Sequence, residues 1–158
     1  MKKKYEFTGI ERNGLKQIRR IADGCLGGCI ESGENLSHEG DCFVYDDAQV
    51  SGNAKVCGNA RVYGNARVYG NARVYGDAVV SGDAWVSGDA WVSGDAWVGG
   101  DAQVFGNAQV CGNAQVYGNN KDKLPSELAN LPEGITEVKL NGQTYVKTTV
   151  TVVEWKKA

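Results

Sequence analysis

Histidine occurs once in this 158-residue chain, at His38, and proline only twice. A single histidine cannot supply the three imidazoles of a three-histidine zinc centre. No apolar run approaches the roughly eighteen residues that a membrane-spanning helix needs, so no membrane association is expected. An excess of charge of one sign is also missing: 17 Lys and Arg stand against 19 Asp and Glu, a net charge of −2. That balance argues against a general nucleic-acid binder and against an acidic mimic of one. Lys2, Lys3 and Lys4 are followed by no apolar stretch, so no secretory signal is expected and the cytoplasm is the expected location. The cysteines, Cys25, Cys29, Cys42, Cys57 and Cys111, are odd in number, which fits free thiols in a reducing compartment. Cys25 and Cys29 make only a weak metal pattern, since no second pair stands at ligand spacing.

What the chain has instead is a six-residue unit, Gly-Asn/Asp-Ala-x-Val-x, running from residue 40 to residue 118. Valine recurs at every sixth position from Val44 to Val116, and alanine from Ala48 to Ala114. A strict period this short predicts a solenoid whose coils bury their apolar side chains on one another. Ala and Val lie two apart, so on a strand both face inward and the residue between them faces out. Gly-Asn or Gly-Asp makes the corner, because both positions tolerate tight-turn torsions. The unit contains no threonine, which removes the flat threonine array of an ice-binding surface. Residues 40–120 are read as the solenoid, and residues 1–39 as an N-terminal cap with a hairpin turn at Asn13-Gly14. Residues 121–158 are read as a C-terminal β-rich cap or small module. There Pro125 and Pro132 punctuate a stretch read as a short helix, and Asn141-Gly142 marks a second hairpin. Caps at both ends cover strand edges that would otherwise stay unpaired.

These hexads resemble the repeats of left-handed parallel β-helix proteins. The resemblance implies an all-β, three-sided, left-handed prism with eighteen residues per coil. In that register the outward residues before each valine form three columns. One reads Gln49, Arg67, Trp85, Gln103 and the second Lys55, Arg73, Trp91, Gln109, while the third reads Phe43, Arg61, Val79, Trp97, Gln115. The prism therefore wears a belt of arginine and then a belt of tryptophan. Arg67 and Trp85, like Arg73 and Trp91, come within reach of a cation–π stack. The position after valine adds Tyr63, Tyr69 and Tyr75 beside the arginines. Two readings of these ladders stand side by side: like residues stacked by duplication, or a binding surface rich in interface-type residues. At the corners Asp77 falls near Asp95 and Asp83 near Asp101. Such pairs either serve as interchangeable turn formers or share a cation such as calcium.

A second resemblance is narrower. Leu26 to Glu31 (Leu-Gly-Gly-Cys-Ile-Glu) and Asn35 to Asp46 (Asn-Leu-Ser-His-Glu-Gly-Asp-Cys-Phe-Val-Tyr-Asp) look like the leading segment of a bacterial and phage family. Its members carry the name hexapeptide-repeat transferase or have no assigned role, and they often have Trp where this chain has Cys29 and Phe43. Two functions are expected, the first from the residues of the outer wall, with its phage or prophage origin implied by the resemblance. The first is a non-enzymatic binding or scaffold protein, phage- or prophage-encoded, using Arg61, Arg67, Arg73, Trp85, Trp91, Trp97, Tyr63, Tyr69 and Tyr75. It would need no cofactor, and its partners would be itself and a host protein, phage protein or small ligand. The alternative is an acyltransferase drawing on a CoA thioester at a subunit interface, with His38 as its one candidate base. No loop leaves the repeat between Gly52 and Gly118 to build an acyl pocket, which favours the first. By resemblance and by residue type, a homotrimer is expected ahead of a dimer or a monomer.

Overall fold

An Ala-x-Val run of extended backbone has one apolar side and one polar side, and it cannot bury the apolar side alone. Stacking supplies the partner. The computed structural model describes residues 2–117 in full, together with the backbone of strands Glu137–Leu140, Gln143–Lys147 and Trp155–Lys157. Three parallel ladders run along the molecule, each strand contributing the x-Val pair of one hexad. From Phe43 onward partners are eighteen residues apart, as in Arg67 with Trp85, Arg73 with Trp91 and Val79 with Trp97. The result is an all-β solenoid of about five turns. The repeat's alanines and its valines at six-residue spacing from Val44 to Val116 fill its interior and are no more than 2% exposed.

Corners follow the Gly-Asn/Asp rule. Gly76 has φ of 71°, and a Cβ placed there would lie 2.9 Å from the backbone N of Gly94 in the next coil. Glycine is required on both counts, for its torsion and for the close approach. The single exception is Asp46, which stands at a glycine position with φ of 52°. Its carboxylate accepts a hydrogen bond from the N–H of Gly64 at 3.0 Å, which helps hold it in the left-handed region.

The first turn draws two of its three sides from residues outside the repeat. Strands β1 (Tyr5–Arg12) and β2 (Leu15–Arg20) form the expected antiparallel hairpin, with Asn13 and Gly14 both at positive φ. Strand β3 (Leu26–Ile30) pairs with β2 on one side and runs parallel to Gln49–Val50 on the other. Leu36 then bridges to Val56, and Phe43–Val44 pairs with Arg61–Val62. Ile30, Leu36 and Val44 thus take the inward places that valine holds in later coils, and all three are buried. Asn35 completes the turn: its amide donates to Gly52 O and Ala54 O, both at 2.9 Å. Phe43, grouped above with the outward column, is fully buried because the hairpin folds over it and sets Arg20 5.0 Å from its ring.

At the other end, Glu137–Leu140 pairs antiparallel with Gln103–Val104 and with Gln143–Lys147, which pairs in turn with Trp155–Lys157. The region is β-rich, and the two strands flanking Asn141-Gly142 pair as a hairpin would. The stretch between Pro125 and Pro132, and the turn itself, lie outside the described residues.

Val86→Asp places a charge in the closed interior and should cost several kcal/mol, about 3 or more. The protein should then be insoluble or unfolded by circular dichroism. An unchanged melting temperature would show that valine does not face inward.

Candidate functional site

Outward positions on the repeat are where this molecule places its chemistry. On the first face Arg67 lies beneath Trp85, its guanidinium 5.5 Å from the ring, and Tyr69 meets the same indole edge-on at 6.2 Å. The second face repeats the arrangement, with Arg73 5.4 Å from Trp91 and Tyr75 6.1 Å away. Each cluster draws its residues from two adjacent rungs, so the eighteen-residue register alone assembles it. Trp85, Trp91 and Trp97 are 39, 39 and 38% exposed, which is high for side chains of this size. Tyr69, Trp85, Ser87, Gln103 and Phe105 line a groove of about 250 Å³ along the first face.

The third face is different. Val79 occupies the rung between Arg61 and Trp97, so this arginine and this tryptophan do not adjoin. Trp97 instead donates its indole N–H to Ser81 Oγ at 2.9 Å and meets Tyr117 edge-on at 5.5 Å. Tyr63 follows Val62 on this face, a rung before Ser81. Arg61 lines a cavity at the N-terminal end of the prism, about 610 Å³ in volume.

Among the sequence candidates, His38 also lines that cavity. Its ring stacks on Tyr5 at 4.3 Å, and its Nδ1 accepts a hydrogen bond from the Lys4 backbone N–H at 3.2 Å. Burial, then Lys4 and Lys3, push its pKa below the ordinary value of 6.5, so the imidazole is neutral near pH 7. Tyr5 is buried and donates to Leu36 O at 2.9 Å, and burial pushes its phenol up to about 12.

The acidic corners are tied to their neighbours. Asn59 donates to Asp77 at 3.0 Å, Asn65 to Asp83 at 3.0 Å and Asn71 to Asp89 at 2.9 Å. Asp95 and Asp101 lie one coil further on. Among the described residues no three His, Cys, Asp or Glu side chains gather as a metal-binding group. All five cysteines are free.

Residues 54–70 and 66–82 match the family model described as the YdcK beta solenoid repeat, a stretch that includes Arg61, Arg67 and Arg73. No curated protein matches the chain significantly.

Two measurements follow from this geometry. A double-mutant cycle of Arg67→Ala and Trp85→Ala, followed by chemical denaturation, should give a coupling of about 0.5–1 kcal/mol. Additivity within error would show that the pair does not interact. The depressed His38 pKa means the folded chain binds fewer protons than the unfolded chain once pH falls below 6.5. The stability this contributes is complete above that pH and is lost as pH drops through the folded value. Between pH 7 and pH 5 the denaturation midpoint should fall, and His38→Gln should flatten the slope; an equal slope in both proteins would contradict this.

Proposed function

We propose that the chain is a non-enzymatic binding or scaffold protein that works through the Arg, Tyr and Trp side chains of its outer wall. The observation that carries this reading is the unbroken wall: from Gly52 to Tyr117 every hexad closes in the same corner, and no loop interrupts it. That wall exposes Trp85, Trp91, Trp97 and Tyr69 beside arginines, and Tyr, Trp and Arg are types enriched at the centres of protein interfaces. The first partner is a second copy of the chain, with a homotrimer the favoured assembly and a host protein, phage protein or small ligand held on the remaining faces. We place the protein in the cytoplasm and assign it to a phage or prophage, on its likeness to the hexapeptide-repeat family.

Charge conditions how copies meet. Lys55, Arg61, Arg67 and Arg73 precede the run from Asp77 to Asp101 along the axis. Parallel side-by-side packing sets like charges against each other, while staggered contacts set them against opposites. Assembly should therefore respond to salt.

A second reading, an acyltransferase, draws support from His38, which is neutral near pH 7 and lines a cavity. Such an enzyme would release free thiol from a CoA thioester, and His38→Ala would abolish the release. Under the binding reading neither protein turns the thioester over.

Light scattering at low and high salt tests the leading proposal. The expected mass is three times the 16.9 kDa of the chain, and combined Trp85→Ala, Trp91→Ala and Trp97→Ala substitutions should lower it to the monomer. A wild-type monomer at high micromolar concentration in both salts would overturn self-association. Pulldown of the same host proteins by wild type and triple variant would overturn the assignment of the tryptophan belt.

A further inference from the structure

The cavity at the N-terminal end collects cations that the rest of the chain does not explain. Lys2, Lys3, Lys4, Arg20 and Arg61 line it, and Asp41 is its one carboxylate. Arg20 is already neutralised, its guanidinium held by Asp23 at 2.9 and 2.7 Å and by the Tyr45 hydroxyl at 3.3 Å. The exposed Asp23 carboxyl is drawn down to about 2 by that hydrogen bonding. Among the described residues the only other ion pair is Arg19 with Glu6. Lys2, Lys3, Lys4 and Arg61 therefore bring four uncompensated positive charges to a cavity holding one negative charge, in a chain whose net charge is −2.

Backbone contacts fix two members of this set, Lys4 and Arg61. Lys4 O accepts from Ile21 N–H at 2.9 Å, Lys4 N–H donates to His38, and Lys4 Nζ donates to Gly40 O at 3.1 Å. Arg61 arrives from the solenoid wall, one rung beyond Phe43. Ile21, Ala22 and Tyr45 supply an apolar side. A volume of about 610 Å³ suits a small organic molecule rather than a bare ion. Converging like charges in a concave site repel one another and focus a positive potential, and an anion relieves the one by answering the other.

We propose that this cavity binds a small molecule carrying a phosphate group, its phosphate held by Lys2, Lys3, Lys4 and Arg61 and its apolar body against Ile21, Ala22 and Tyr45. A phosphate fits better than a lone carboxylate because its double charge and several oxygens answer more of the cations. A nucleic-acid strand is disfavoured because the cations do not continue as a track: the corners from Asp77 to Asp101 are acidic. This site shares Arg61 with the outer wall but contains none of the three tryptophans, so AMP binding and self-association are read by separate measurements.

Calorimetric titration at low salt with AMP, adenosine and inorganic phosphate tests it. AMP should bind in the millimolar range or tighter, adenosine should not bind, and free phosphate should bind more weakly than AMP. Lys3 and Arg61 are exposed, so Lys3→Gln with Arg61→Gln should leave the melting temperature unchanged while weakening AMP binding by about tenfold or more. As the chain's one histidine, His38 gives an unambiguous NMR signal, which should shift and titrate at higher pH with AMP bound. No heat and no His38 shift with AMP, or equal affinity in the double variant, would overturn the site. Free phosphate binding as tightly as AMP would overturn the organic ligand.

Discussion

Successive coils are joined through the backbone at a fixed separation. Asn65 N–H reaches Gly82 O at 2.9 Å, Arg67 N–H reaches Ala84 O at 2.9 Å, and Tyr69 N–H reaches Val86 O at 3.0 Å. The next coil repeats the set. These bonds leave each residue of the repeat one vertical neighbour, eighteen positions along, and no freedom to choose another. Valine on valine closes the interior, glycine on glycine closes the corner, and Asn on Asp ties the outer edge of two corners. Each of these contacts is modest alone. Their repetition along a nearly one-dimensional stack gives the wall its uniformity.

The same rule governs the surface. On two faces it sets an arginine under a tryptophan and a tyrosine at the tryptophan's edge. On the third, one substitution in the column, Val79, separates the two residue types. Trp97 turns to Ser81 and Tyr117, and Arg61 is left to the N-terminal cavity. A sequence that looks threefold therefore gives a surface with two like faces and one unlike. Any closed assembly must reckon with that difference, since a cyclic contact uses the same patches on every copy.

Most of the wall was legible in the sequence, because a period of six combined with an eighteen-residue coil names every vertical neighbour before any coordinates are known. Arg67 with Trp85 and Arg73 with Trp91 are contacts of that kind. The first coil was harder to see. Leu26–Ile30 and Leu36 carry no hexad, and Asn35 replaces missing backbone contacts with its side-chain amide. The six-residue spacing from Ile30 to Leu36 was the available signal, obscured by the longer step from Leu36 to Val44. Burial of Phe43 depends on where the hairpin folds, which local patterning does not specify. The cavity was hidden for the same reason: no spacing in the chain tells that Lys2 to Lys4 will face Arg61 from across the first turn.

Because neighbours are set by counting, the chain keeps something like a phase. Eighteen residues added to the repeat lengthen the stack and leave every column in step. Six residues added would fold as well, since the new hexad has its own corner and its own inward pair, yet everything downstream would turn by a third of the circumference. Inserted between Tyr75 and Gly76, a single hexad would carry Trp85 from its place over Arg67 to a place over Arg73. The core is indifferent to such a shift and the surface is rewritten by it. This architecture can therefore acquire new surface combinations from whole-hexad gains and losses while its interior, and with it the fold, stays the same.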